Sequence, residues 1–158
     1  MAAGVIRRIV TPFVNLLRQG ITPEKVALTI AIGLALGVTP VIGSTTLLCT
    51  VAAIVLRLNL PAIQLVNGLV YPLQLALIVP FLRGGAWMFG DRVLPGLTVG
   101  RIFELIRADI WHAIAMLWTA TVHALAAWLL FAGIAAAMVY AAALPALRKV
   151  WRREVRAQ

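Results

Sequence analysis

A chain of 158 residues with 63% hydrophobic and 12% charged residues and a mean hydropathy of +1.00 falls outside the soluble class, where about 25% of residues are charged. Its length suits one small membrane domain. The net charge of +9 does not mark a nucleic-acid binder: the cations cluster at the ends and in one loop, as cytoplasmic charge flanking membrane segments does.

In chain order, the first twenty residues lack the uninterrupted apolar core and small-residue cleavage site of a signal peptide, so no removal is expected. Val5, Ile6, Ile9, Val10, Phe13, Leu16 and Leu17 recur at helical spacing. Residues 1–20 are therefore expected to form an amphipathic surface helix, or two divided at Thr11-Pro12, lying on the membrane or on the protein's own core. Thr22-Pro23-Glu24 is a helix start, with a threonine cap, a proline in the first turn and negative charge beside it. Within the 31 uncharged residues 26–56, one helix is expected to run to about Val38 and a second from Pro40 or Ser44 to Leu56. About sixteen residues span only about 24 Å, short of a bilayer core of roughly 30 Å. Residues 24–56 thus read as a broken helical pair. The pair either dips in and returns or crosses twice with a turn at the far surface.

Asn59-Leu60-Pro61 starts a spanning helix expected over 61–82, kinked at Pro72. Residues 83–109 read as an external amphipathic loop, and 110–147, free of Lys, Arg, Asp and Glu, as one long tilted spanning helix. Residues 148–158 form a basic tail. Cations before the first apolar block and after the last place both ends on the cytoplasmic side. The fold class expected is an all-α integral membrane protein: a broken or re-entrant pair and two spanning helices, with interfacial amphipathic helices.

The spacing of Pro23, Ala27, Ala31, Gly33, Gly37, Pro40 and Gly43, with Thr46, Leu47, Arg57, Asn59 and Pro72, carries a resemblance. The stretch from Gly20 to about Gly90 resembles an uncharacterised family of bacterial membrane proteins known as domain of unknown function 2062. The resemblance implies a bacterial inner-membrane protein and supplies no activity. Tyr71 stands where the family usually has asparagine, and Thr45 where it often has glutamine or histidine.

Two polar groups interrupt the apolar sequence. Thr39, Pro40, Ser44, Thr45 and Thr46 break the pair at membrane depth, where freed backbone groups need partners and hydroxyls can supply them. Gln64, Asn67, Tyr71 and Gln74 follow at spacings of three, four and three, which places them on one helix face. Such a stripe either lines a polar crevice against the broken pair or bonds helix to helix. In the tail, Arg148, Lys149, Arg152, Arg153 and Arg156 are expected to meet anionic lipid headgroups. The lone Cys49 reads as a packing residue. His112 and His123 are about 16 Å apart along a helix axis and cannot share a metal. No catalytic residue, metal or cofactor is expected, and the chain reads as a non-enzyme. Membrane lipids are the expected partners, with a second copy or an envelope protein beside them. The leading function is transport or translocation of a lipid or amphipathic solute, by analogy with broken-helix transporters. The alternative is a structural or assembly partner in an envelope complex.

Overall fold

A computed structural model of the protein describes residues 21–41, 43–90 and 107–156, with Thr11, Asn15 and Glu104 as isolated positions. The surface helix expected over 1–20, the part of the expected loop at 91–106 apart from Glu104, and Ile42 lie outside the described residues. Among those described there are four helices and no strand: α1 (Pro23–Gly37), α2 (Thr45–Leu56), α3 (Leu60–Phe89) and α4 (Ile110–Arg156).

Each helix begins where local chemistry satisfies its first amides. Thr22 Oγ1 accepts from the Lys25 N–H at 3.4 Å ahead of Pro23. Asn59 Oδ1 accepts from the Ala62 N–H at 2.9 Å ahead of Pro61. Asp109 Oδ1 accepts from the Trp111 N–H at 2.9 Å. The exception is α2: Ser44 lies in the helical region and makes no side-chain cap. Its hydroxyl instead donates to the Val41 carbonyl at 2.9 Å. Ser44, one of the two expected starts of the second helix, therefore closes the preceding turn, as local hydroxyl bonding competes with capping.

Two helices outrun their expected ends. α3 continues seven residues past Leu82, through Arg83, Gly84 and Gly85, because those glycines lie in a helix contact rather than a turn. Pro72 and Pro80 lie within it. α4 continues through Pro145 and the basic segment to Arg156, since arginine and lysine are good helix formers and no breaker follows. At about 1.5 Å per residue the four helices measure about 22, 18, 45 and 70 Å.

α3 and α4 are long and apolar enough to cross a membrane, yet only 22% and 17% of their most apolar windows are buried. The central helix of a soluble protein would be mostly enclosed; these present leucines, valines and tryptophans outward along their length, which suits a hydrocarbon solvent. α1 is the enclosed element, with Val26, Ala27, Ala31 and Ala35 buried. Contacts to α2, α3 and α4 surround it. Small residues set the approach: a Cβ at Gly33 would sit 3.0 Å from the Val66 side chain, and one at Gly85 would sit 2.5 Å from the His123 carbonyl.

The α2–α3 reversal takes only residues 57–59. Arg57 adopts a left-handed conformation (φ 51), and the Leu58 N–H returns to the Ala53 carbonyl at 2.8 Å, a helix stop that usually takes glycine. Lys25 Nζ donates to the Arg57 carbonyl at 3.4 Å, and Arg148 pairs with Glu24 at 2.9 Å. The start of α1, the α2–α3 reversal and the basic end of α4 therefore share one end of the bundle, the base.

Candidate functional site

The polar stripe of α3 meets the broken pair. Gln64 Nε2 donates to the Thr46 carbonyl and to Thr50 Oγ1, each at 3.0 Å. Asn67 Nδ2 donates to Gln64 Oε1 at 3.3 Å, and Gln74 Nε2 donates to the Thr39 carbonyl at 2.9 Å. Asn67 and Gln74 are buried, and Gln64 is half-buried. The amides thus tie the end of α1 and the start of α2 to α3. Thr39 and Thr45 are buried, Pro40 and Ser44 half-buried, and Thr46 exposed. Thr39 Oγ1 donates to the Leu36 carbonyl at 2.6 Å, satisfying the last turn of α1 from within.

Tyr71 shares the side of Gln64 but is not covered: it is 48% exposed. Gln64 already lies level with Thr46 and Thr50 in the first turns of α2, and Tyr71 is about 10 Å further along the same side of α3. α2 has ended before reaching it. Periodicity placed Tyr71 on the right side of its helix but carried no information on where the neighbouring helix stops.

The depth of the turn is fixed by the same contacts. Gln74 is the fifteenth of the thirty residues of α3. The α1–α2 turn is therefore tied at the middle of a helix that extends about 22 Å on either side of it.

At the base lies a cavity of about 390 Å³ lined by Ile21, Thr22, Lys25, Arg57, Leu58 and Asn59. Its lining holds two cations and no acid. Glu24, the nearest acid in sequence, is paired with Arg148. Its carboxyl is held below the usual range, first by a backbone N–H at the helix start and then by that arginine. Exposed pairs of this kind contribute little to stability. Lys25 and Arg57 are 32 positions apart, so no local spacing pairs them. The available signal was that each lies beside a capped helix start, at Thr22-Pro23 and Asn59-Leu60-Pro61.

Of the tail cations, Arg148 is engaged by Glu24, and Lys149 and Arg152 are exposed at the base. The side chains of Arg153 and Arg156, like that of His112, lie outside the described residues. His123 stacks on Phe89, with ring centroids 4.2 Å apart. Among the described residues, no three His, Cys, Asp or Glu side chains converge.

A family model described as an uncharacterised protein conserved in bacteria (DUF2062) matches residues 6–156. The match extends well beyond the motif region ending near Gly90 and takes in α4 and the basic segment. No curated protein and no solved structure matches the chain.

Proposed function

The chain belongs to this bacterial family, and we propose that it is an integral inner-membrane protein in which α1 and α2 form a re-entrant hairpin beside the spanning helices α3 and α4. In this reading the base faces the cytoplasm, and the protein assists movement of a lipid or amphipathic solute. The observation that carries it is the Gln74–Thr39 bond at mid-length of α3, which supports a hairpin ending inside the bilayer. With Leu60 at the cytoplasmic boundary, Gln74 lies about 21 Å in, short of the roughly 30 Å hydrocarbon width. Cations support the orientation: Lys25, Arg57, Arg148, Lys149 and Arg152 gather at the base, and positive charge favours the cytoplasmic side. Half-depth helices beside a spanning pair recur where solutes are handled at membrane depth.

Thiol accessibility tests the hairpin. In a Cys49→Ala background, Val41→Cys in the α1–α2 turn is expected to react poorly with a membrane-impermeant maleimide added from outside, and Leu97→Cys to react well. Equal labelling would make the pair a full double crossing.

Movement itself is tested by reconstituting the purified protein into vesicles with a headgroup-labelled fluorescent phospholipid and quenching the outer leaflet. Quenching that proceeds beyond the outer leaflet faster than in protein-free vesicles is expected. Equal rates would remove the transport reading.

Two observations favour a second reading, an assembly partner in an envelope complex. The stripe amides are bonded within the chain, and α2 presents Leu47, Val51, Ile54 and Val55 outward.

A further inference from the structure

We propose that the base cavity is a binding site for the phosphate group of an anionic amphiphile, held by Lys25 and Arg57. The inference deepens the lipid-handling reading and rests on it for the membrane placement of the cavity. The first argument is charge. Lys25 is held at the cavity by its bond to the Arg57 carbonyl, and Arg57 is the residue that makes the left-handed turn. Both residues are exposed, and their backbones are set at helix ends, which keeps the two residues side by side in the cavity lining. None of the six lining residues is acidic, and Glu24 is committed to Arg148. Two like charges gathered in one concavity call for an anion. The starts of α1 and α3 bring the positive ends of two helix dipoles to the same place.

The second argument is shape and surroundings. A volume of about 390 Å³ falls in the range of small-ligand sites, about 300–1,000 Å³. Ile21 and Leu58 give the lining an apolar side beside its polar one. Leu56 and Leu60, immediately flanking the reversal, are exposed, as are Val55, Ile54 and Val51 further along α2. An apolar track therefore leads away from the cationic pocket along the hairpin's outer face. A phosphate in the pocket with an acyl or prenyl chain on the track satisfies both.

The test uses the full-length protein in nanodiscs of phosphatidylcholine with or without phosphatidylglycerol, with retained lipid counted by native mass spectrometry. The variant is Lys25→Gln with Arg57→Asn, because asparagine tolerates a left-handed backbone and helical content by circular dichroism reports its folding. At about 1 kcal/mol per cation, losing two is expected to lower phosphatidylglycerol affinity roughly 30-fold. Lys149→Gln with Arg152→Gln, which removes the same charge from the same end, is expected to reduce only salt-sensitive, non-stoichiometric binding. Glycerol phosphate is added as soluble competitor. Displacement at millimolar concentration assigns the pocket to soluble phosphate esters, and retention assigns it to membrane lipid; both support a phosphate site. Equal loss in the two double variants, or no retained anionic lipid and no glycerol phosphate binding in the parent, overturns it. Retained lipid without translocation would remove the transport reading and leave the site standing.

Discussion

Substituting Gly85 by leucine is expected to separate α3 from α4 and to lower the thermal midpoint of the detergent-solubilised protein by several degrees. A Cβ there would lie 2.5 Å from the His123 carbonyl carbon and oxygen and 2.8 Å from the Ala124 nitrogen. Those are backbone atoms of a helix, so no side-chain rotation relieves the clash. The surrounding contact is built from small residues, with Ala86, Ala120, Ala124 and Ala127 all buried. In a membrane, where apolar side chains gain nothing by leaving lipid, that close approach is what holds two helices together. Overpacking typically costs about 1–3 kcal/mol, and the fixed obstacle puts Gly85→Leu at the upper end. Even Gly85→Ala is expected to lower the midpoint. Gly68→Ala, in the same helix with nothing within 4 Å of the added methyl, is expected to leave it unchanged or raise it, as alanine is the better helix former. Circular dichroism melts of the three variants and the parent decide it. A Gly85→Ala midpoint matching that of Gly68→Ala would mean that the two helices are not held at this contact.

Gly85 also marks how far the sequence alone was readable. Helix starts were legible, because a cap and a following proline act within a few residues: Thr22-Pro23 and Asn59-Leu60-Pro61 begin α1 and α3 as expected. Two apolar helices long enough to span a membrane were legible from hydropathy. The end of α3 was not, because Gly84-Gly85 serves equally as a turn or as a flat surface for a neighbouring helix, and the residues that decide lie about forty positions away on α4. The exposure of Tyr71 was hidden for a related reason, since a helical period gives a direction but not the length of the partner. Ser44 carried the right chemistry and was used one turn early. The base cavity was invisible because its two cations meet only when α1 and the α2–α3 reversal come together.

Gln74→Leu is expected to destabilise the fold more than Gln64→Leu, the reverse of what counting hydrogen bonds gives. Gln64 makes two donor bonds to α2 and Gln74 makes one to the α1–α2 turn. What matters is the group left behind. The Thr46 carbonyl also accepts from Thr50 Oγ1 at 2.7 Å, so removing Gln64 leaves it partnered; Asn67 Nδ2 loses its Gln64 Oε1 acceptor, but that bond is long at 3.3 Å and Asn67 keeps 9% exposure, and each contact to α2 is worth about 0.6 kcal/mol between membrane helices. Among the described residues, the Gln74 amide is the group that meets the Thr39 carbonyl, and Gln74 and Thr39 are each 1% exposed. Leucine of similar size fills the space but leaves that carbonyl buried without a donor among the described residues, a cost of about 1–3 kcal/mol. The structure has one other way to respond, which is to let the turn move away from α3 toward water. Gln74→Leu is therefore expected to lower the thermal midpoint and also to speed maleimide labelling of Val41→Cys, while Gln64→Leu changes labelling little. Equal midpoints and equal labelling for the two variants would show that the Gln74–Thr39 bond does not hold the turn against α3.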